Sequence, residues 1–466
     1  MSARGWWAFA VVLVAGPLDA RAAPPPSPSP IAWRYEVQAD AGARTLAVDA
    51  RFEAGDPTEF SVDDGAEPFV DDVNVETARG WRKIARRDDA WRIAECARGC
   101  HVRYRVRLDA AATALDSDVA QHYGAVVQAP PPTWLLHPLR ATGGRRYRFV
   151  VRMPVGLAFV SGVAPDGDGY AADVTTLGDA PYSAFGPLTL QTLNIGHDRI
   201  DLAFVPAQRK VDDATIAAVV AHAAEAVRRY YGRLPLPRQL MLVLPGDGEG
   251  LHGHTLGNGG ATVELVVGDT IDKAQLAHSW VPAHELIHVA FPSLPRAQLW
   301  LEEGLATYVE PLARAQLGDL DAATIWRDLV DGLPQGLPEA GDRGLDRTHT
   351  WGRTYWGGAL FCLVADVEIR ERTHGQHGLG DALRAIVDGG GNISVEWPLQ
   401  QALAIGDAAV GVPVLTELHA RLGERPGDVD LASLWRRLGV QRVGRGVKFD
   451  DSAPLASVRR AIVERP

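Results

Sequence analysis

The 466-residue sequence is poor in cysteine and lysine and has no long hydrophobic run in its interior. Lysine supplies only four of the 47 basic residues, and the 58 acidic residues give a formal net charge of −11. Without a basic balance or a basic stripe, the sequence predicts no nucleic-acid partner. After the N-terminus, no segment reaches the roughly 17–25 apolar residues that a membrane-spanning helix needs. The remaining composition, 46% hydrophobic and 23% charged, is typical of a globular protein of about three domains.

The first residues follow the pattern of a secretory signal peptide. Arg4 precedes an apolar run over residues 6–16, and a stretch of small residues ends at Ala22. Because this run is too short to span a membrane, we expect a cleaved export signal over residues 1–22, with a buried N-terminal helix as the alternative. The Pro/Ser-rich residues 23–30 are then expected to form an extended linker. The sequence therefore predicts an exported protein, periplasmic or secreted.

Three cysteines agree with an oxidising compartment. Cys96 and Cys100 are four residues apart, and a local disulfide between them is the favoured interpretation. A metal site is the weaker alternative, because only His101 lies close by and no second cysteine pair exists. Cys362 sits in an apolar helical pattern and is expected to be a buried thiol.

The hydrophobic pattern changes near residue 205. Before that point most segments alternate with a period of two, as in Ala43–Phe52, His101–Leu108, Arg146–Met153 and Asp198–Val205. Short strands at regular spacing predict a β-rich N-terminal domain over residues 31–205 with the architecture of a β-sandwich. No cluster of His, Cys and carboxylates occurs in it, so we expect it to act as a scaffold or a substrate-docking domain.

After residue 205 helical patterns dominate. Two strands are predicted at Gln239–Leu244 and Ala261–Val267, with a glycine-rich loop at 246–260 between them. The predicted helices span 211–231, 280–291, 298–316, 321–332, 351–374, 378–388, 413–422 and 431–438. We divide this half into a catalytic domain over residues 206–390 and a C-terminal helical segment over 391–466.

One five-residue motif carries the strongest chemical signal. Residues 284–288 read His-Glu-Leu-Ile-His within a predicted helix. His284 and His288 are then i and i+4, so both imidazoles leave one face of the helix and can bind one zinc ion. Glu285 projects about 100° away around the helix, where it can act on a water as a general base instead of ligating the metal. A helix with incidental surface histidines is the alternative.

A third protein ligand is expected on the next predicted helix. Fourteen residues separate His288 from Glu303, which lies in a segment that begins Trp300-Leu-Glu-Glu-Gly. Glu303 would complete a His2Glu ligand set with an open position for water. Its neighbour Glu302 faces elsewhere on the helix and is expected to be solvated. Glu310, seven residues further on the same face, would either orient a ligand histidine or be an ordinary surface glutamate.

These two segments resemble the gluzincin metallopeptidases, in particular the aminopeptidase N-like and glycyl-aminopeptidase-like branches that are grouped as peptidase MA. The resemblance covers residues 205–390 and rests on His-Glu-x-x-His and Trp-Leu-x-Glu-Gly-x-Ala-x-Tyr-Val-Glu. It implies one zinc ion per chain, held by His284, His288 and Glu303, with Glu285 as base and proton shuttle. It also implies an α+β fold in which an N-terminal β-sandwich domain is followed by a thermolysin-like, mainly helical zinc-peptidase domain.

A further match lies at Thr354-Tyr355-Trp-Gly-Gly-Ala359. In the family, a Tyr-x-x-Gly at this place supplies a phenol that hydrogen-bonds the tetrahedral oxyanion. The resemblance therefore implies this role for Tyr355, and a core aromatic side chain in a helix is the alternative interpretation.

The substrate-binding strand matches the family less well. Where aminopeptidase N-like enzymes carry Gly-x-Met-Glu-Asn for the free amine of the substrate, this chain has Gly259-Gly-Ala-Thr-Val-Glu264. We expect residues 260–262 to line the cleft as an edge strand that pairs with the substrate backbone. Glu264 is expected to face solvent, and its substitution for the residues that bind the substrate amine is the alternative. Aminopeptidase and endopeptidase activity both stay open.

We therefore predict an exported zinc metallopeptidase that hydrolyses peptide bonds of a peptide or protein substrate with a metal-activated water. The alternative is a catalytically silent binding protein with a peptidase fold, which recognises an envelope protein or a peptidoglycan partner. No membrane span is expected in the mature chain, and the sequence gives no indication of the oligomeric state.

Overall fold

A computed structural model describes residues 29–55 and 58–464 of the chain. The predicted signal peptide and most of the predicted linker lie outside the described residues. The described part is a mixed α/β structure with several sheets and many helices. Within it, no helix is both long and apolar enough to cross a membrane.

Strands dominate the region before residue 187. They are β1 (Ile31–Ala39), β2 (Leu46–Phe52), β3 (Glu59–Ser61), β4 (Val70–Thr77), β5 (Gly80–Lys83), β6 (Arg86–Arg87), β7 (Ala90–Arg92), β8 (Cys100–Val106), β9 (Gln121–Tyr123), β10 (Val126–Ala129), β11 (His137–Pro138), β12 (Arg146–Arg152), β13 (Ala158–Ser161), β14 (Pro165–Asp166), β15 (Gly169–Asp173) and β16 (Ser183–Gly186). Two short helices interrupt them, α1 (Leu108–Leu115) and α2 (Pro131–Trp134).

These strands form three sheets around one apolar core. The largest has eight strands in the order β14-β15-β12-β1-β2-β8-β4-β5, and the other two are β13-β16-β10-β9 and β11-β3-β7-β6. Period-two alternation explains the packing, because Trp33, Tyr35 and Val37 of β1 all point into the core. The core residues before position 187 run from Ala32 to Phe185.

The predicted disulfide is confirmed in this region. Cys96 and Cys100 are bonded, and their Cα atoms are 4.5 Å apart. The bond ties the first residue of β8 to the 3-10 turn before it. Cys362, in the helical region, is a buried free thiol, as expected.

A five-stranded sheet forms the base of the second region. Its strands are β17 (Thr189–Ile195), β18 (Asp198–Phe204), β19 (Arg238–Gly246), β20 (Leu251–Leu256) and β21 (Thr262–Gly268), in the order β17-β18-β19-β21-β20. The three central strands are parallel, and β20 pairs antiparallel with β21 at one edge. The sheet begins at residue 189, so the domain boundary predicted at 205/206 falls inside it.

Helices cover the sheet and continue to the C-terminus. They are α3 (Asp213–Tyr231), α4 (Lys273–His278), α5 (Val281–His288), α6 (Leu299–Ala315), α7 (Ala322–Gly332), α8 (Gly358–Arg372), α9 (Leu379–Asp388), α10 (Leu399–Val410), α11 (Val414–Leu418), α12 (Leu431–Leu438) and α13 (Ala456–Val463), with a hairpin of β22 (Val440–Val443) and β23 (Gly446–Phe449). Each helix predicted after residue 205 is present, some with shifted ends. The sequence missed α4, α10 and α13, which are short or have a broad apolar face.

Two expectations for this region are wrong. The predicted glycine-rich loop at 246–260 contains strand β20, which forms the sheet edge. Residues 260–262 therefore do not form an edge strand, because β21 lies between β19 and β20. The glycines hid the strand, since they interrupt the alternation of apolar side chains by which strands are recognised.

Candidate metal centre and catalytic cleft

Helix α5 carries the two histidines of the His-Glu-x-x-His motif. Pro282 lies in its first turn, where the lack of an N–H costs no hydrogen bond. His284 and His288 leave the same face, and their ring centroids are 4.8 Å apart. Leu286 and Ile287 are buried in the core on the other side. The apolar side chains therefore fix the helix so that both imidazoles face the cleft.

Helix α6 brings a carboxylate to these imidazoles. Oε2 of Glu303 lies 3.5 Å from Nε2 of His284 and 3.6 Å from Nε2 of His288. One ligand atom from each of the three residues lies within 4.8 Å of the other two. Two imidazole nitrogens and one carboxylate oxygen form a donor set that suits zinc. The structure thus brings together the three side chains that were predicted as ligands.

The electrostatics of the cluster favour the ligating protonation states. Burial favours the neutral acid at Glu303, but the hydrogen bond from His284 and the charges of both histidines hold its pKa below the usual value. Burial and the nearby His284 lower the pKa of His288. A carboxylate and a neutral imidazole are the forms that bind metal ions.

Glu285 lies beside the cluster and faces strand β20. Thr255 of β20 donates its hydroxyl hydrogen to Oε2 of Glu285 at 2.7 Å, and its Oγ1 also lies 3.0 Å from the backbone oxygen of Glu285. A side chain at Gly253 would overlap the side chain of Glu285, so glycine leaves the space that the carboxylate occupies. Strand β20 thus positions the predicted base from the side opposite to its own helix.

Tyr355 belongs to a π-helical turn, Arg353–Gly357, that leads into α8. Such turns are rare and often occur at functional sites. The side chain lines the same cavity as Glu285 and Glu303. Burial, followed by the charges of Glu303 and Glu285, raises the pKa of the Tyr355 phenol. The phenol therefore keeps its proton and can donate a hydrogen bond into the cleft.

A pair of glycines brings α6 and the start of α8 into close contact. A Cβ at Gly304 would overlap the backbone of Gly358, and a Cβ at Gly358 would overlap the carbonyl oxygen of Trp300. Gly304 directly follows Glu303, and Gly358 is three residues after Tyr355. The contact therefore sets how closely the carboxylate and the phenol approach each other.

Glu302 and Glu310, two further glutamates of α6, are more enclosed than the sequence predicted. Glu302 is not solvated as expected, because its Oε1 accepts a hydrogen bond from the backbone N–H of Leu294 at 2.8 Å and burial raises its pKa to about 7. Glu310 is buried and accepts a hydrogen bond from Arg314 at 2.7 Å, so the surface interpretation of it is wrong. Within the described part of the chain, the carboxylate of Glu310 is hydrogen-bonded to Arg314 and to neither His284 nor His288.

The five predicted residues line one cavity of about 360 Å³. A larger cavity of about 940 Å³, beside the turn at residues 258–260, contains none of them. The smaller cavity is also lined by Ile393, from a segment in which the sequence showed no motif. The backbone oxygen of Ile393 accepts a hydrogen bond from Asn258, and its N–H donates to Val289 at the end of α5. This segment therefore connects the edge hairpin with helix α5.

Sequence reasoning also missed the polar group behind β20. Glu264, expected to face solvent, is buried, and the side-chain amide of Gln128 donates a hydrogen bond to it. His254 of β20 lies 3.8 Å from Glu264 and also lines the cavity. The nearby carboxylate of Glu264 raises the pKa of His254. Pairing of β20 with β21 brings His254 to Glu264, and Gln128 reaches Glu264 from β10 of another sheet, so the linear pattern gave no signal for them.

Comparison with known proteins identifies the fold. No family model matches the sequence, and no curated protein matches it. Among solved structures, an aminopeptidase N family protein from Idiomarina loihiensis matches with a TM-score of 0.66 and 15% identity, over 88% of this chain and 78% of that chain.

An M1 zinc metallopeptidase from Deinococcus radiodurans also matches, with a TM-score of 0.50 and 15% identity, over 86% of this chain and 95% of that one. A substituted variant of that metallopeptidase gives a TM-score of 0.51 at 16% identity, over 85% and 94% of the two chains. With two such proteins matched over most of their length, the chain has a gluzincin aminopeptidase-like fold.

Proposed function

We propose that this chain is an exported zinc-dependent peptidase that hydrolyses peptide bonds. The observation that supports this most is the cluster of His284, His288 and Glu303, whose ligand atoms lie within 4.8 Å of one another, with Glu285 on the same cavity. The M1 neighbours are zinc metallopeptidases, which supports zinc and a peptide substrate. Export is proposed from the signal-like residues 1–22.

We propose a β-sandwich domain followed by a thermolysin-like catalytic unit and the C-terminal helical segment 391–466. The two large apolar cores support two main units, since one ends at Phe185 and the other begins at Ile195, and a smaller apolar cluster joins residues from both. The five-stranded sheet supports a catalytic unit that begins with β17, ahead of the predicted start at residue 206.

In this proposal His284, His288 and Glu303 hold the zinc, which leaves one position open. When bound, zinc supplies a Lewis acid that polarises a carbonyl group and lowers the pKa of a water. The buried surroundings of the three residues exclude bulk water from them. Low local polarity strengthens every charge interaction in the cleft.

Glu285 acts as the base in this proposal. Its carboxylate accepts the proton of the attacking water and then returns it to the amine that leaves. The hydrogen bond from Thr255 and the space at Gly253 keep the carboxylate in one place. Such fixed placement lowers the reorganisation that proton transfer requires.

Tyr355 donates a hydrogen bond to the oxyanion that develops on the scissile carbonyl. Its raised pKa supports this role, because the phenol stays protonated at neutral pH. A donor that is aimed at the developing charge before reaction is worth about 10²–10³-fold in kcat.

The test compares the mature protein with a Glu285→Gln variant. We expect about one zinc per chain in both proteins by metal analysis, and loss of nearly all cleavage of a peptide library in the variant. Glu53→Gln, at an exposed position in the β-rich region, is the matched control and should behave as the unsubstituted protein. N-terminal sequencing of the protein from its source tests removal of residues 1–22.

Three results would contradict the proposal. Normal turnover by Glu285→Gln would show that Glu285 is not the base. Stoichiometric zinc with no cleavage anywhere in the library would instead favour a silent binding protein. Absence of zinc from protein that has never been exposed to chelators would show that the chain does not bind zinc as proposed.

A further inference from the structure

Three large apolar side chains are exposed together at the catalytic cleft. Single exposed apolar side chains are normal on a protein surface, and Trp81 in the β-rich region is one of them. Trp280, Leu299 and Trp351 differ, because each contacts a site residue or lines the site cavity. Clustered apolar exposure beside a cavity is typical of ligand recognition.

Trp280 directly precedes α5 and is 51% exposed. Its ring packs edge-on against the imidazole of His284, with the centroids 4.9 Å apart at 80°. The indole lines the cavity and also keeps half of its surface in contact with water. It thus adds apolar area next to the metal ligands and leaves that area uncovered by the fold.

Leu299 and Trp351 extend this apolar surface. Leu299 is the first residue of α6, is 43% exposed and lines the cavity. Trp351 is 62% exposed, and its ring lies 5.6 Å from that of Tyr355 at 31°. The apolar groups therefore begin beside the metal ligands and continue past the phenol. We refer to Trp280, Leu299 and Trp351 as the apolar rim.

Outside the cluster of His284, His288 and Glu303, both glutamates on the cavity wall already have hydrogen-bond partners. Glu302 accepts a hydrogen bond from Leu294, and Glu285 accepts one from Thr255. His254 is paired with Glu264. A cationic substrate side chain next to the scissile bond would therefore lose water and meet carboxylates that are already hydrogen-bonded, which is unfavourable. The rim thus offers large, exposed apolar side chains for recognition of a substrate side chain.

We propose that the apolar rim binds a large apolar side chain, best an aromatic one, of the substrate residue next to the scissile bond. This inference rests on the proposed peptidase function and names the substrate class for it. Aromatic side chains gain most, because ring pairs add an attraction beyond the burial of apolar area. Substrates with Ala, Asp or Lys at that place bind poorly.

The test uses a set of peptides that differ only at the residues flanking the scissile bond, with Phe, Leu, Ala, Asp or Lys there. For the unsubstituted protein we expect kcat/KM for Phe to exceed that for Ala and Asp by at least about 10-fold. Trp280→Ala and Trp351→Ala should each lower kcat/KM for the Phe peptide about 10-fold, and lower it much less for the Ala peptide. Trp81→Ala is the matched control and should change neither value.

A conservative variant and a binding measurement separate recognition from structural damage. Trp280→Phe should recover most of the preference, and zinc content should be unchanged in every rim variant. Calorimetric binding of the Phe peptide to Glu285→Gln should weaken about 10-fold when Trp280→Ala is added, and this result does not depend on turnover.

Three outcomes overturn the inference. They are a flat profile across the five peptides, an equal loss for all peptides in the rim variants, and unchanged peptide binding in the double variant. If no peptide is cleaved although zinc is present, the proposed peptidase function fails. The calorimetric measurement then still tests whether the apolar rim binds the Phe peptide.

Discussion

One wall of the cleft is helical and carries the proposed metal-ligand side chains, whereas the other is the edge strand β20, which contacts the proposed base. On the helical wall, His284 and His288 are one turn apart on α5, and α6 adds Glu303. On the strand wall, Thr255 contacts Glu285 and Gly253 leaves room for it. Spacing along a helix fixes the first wall, and pairing across a sheet fixes the second. The two walls should therefore respond to substitution in different ways.

The largest effect is expected on the helical wall, where Glu303→Ala removes a ligand atom. We expect zinc affinity to fall by more than the roughly 10–100-fold that loss of an outer hydrogen-bonding partner costs. Competition with a chelator measures the affinity. Glu302→Gln is the control, since the Glu302 carboxyl is bonded to Leu294 instead of the cluster. Equal zinc loss in Glu302→Gln, or none in Glu303→Ala, would place the third ligand elsewhere.

On the strand wall, Gly253→Ala should separate catalysis from metal binding. The added Cβ would overlap the side chain of Glu285, so the carboxylate or the strand must move. A displacement of about 1 Å costs roughly 100-fold in rate, and zinc content should stay the same. Gly446→Ala, where an added Cβ meets nothing within 4 Å, is the matched control. Unchanged kcat in Gly253→Ala would show that β20 does not position the base.

This difference also explains how much could be predicted. The i, i+4 spacing of His284 and His288 fixes their common face from the linear sequence. Glu303 could be predicted as well, because it lies on the next long helix along the chain. The location of β20 could not be predicted, because it depends on hydrogen bonds to β21 and its glycine interrupts the apolar pattern. The burial of Glu264 was missed for the same reason, since its partner Gln128 is 136 residues away.

The glycine contact behind the helical wall should affect stability more than chemistry. Gly304→Ala places a Cβ against the backbone of Gly358, and overpacking of this kind costs about 1–3 kcal/mol of unfolding free energy. Denaturant unfolding measures it. Gly380→Ala, also in a helix but with its nearest neighbours 3.4 Å away, should cost much less. Equal unfolding free energies for the two variants would mean that α6 and α8 can separate without penalty.

The smallest effect is expected for Thr255→Val, which keeps the shape of the side chain and removes the hydrogen bond to Glu285. The loss of one donor to a carboxylate should lower kcat roughly 10-fold, while KM, zinc content and unfolding midpoint stay nearly constant. Thr255→Ser keeps the hydroxyl at Oγ and should retain most of the rate, because the donor and its 2.7 Å partner remain. If Thr255→Ser lost activity and Thr255→Val did not, the methyl group of Thr255 would be what matters, and the strand wall would act by packing alone. A loss confined to Val would show that an edge strand, recognisable only through its sheet partner, orients the base that the helical motif supplies.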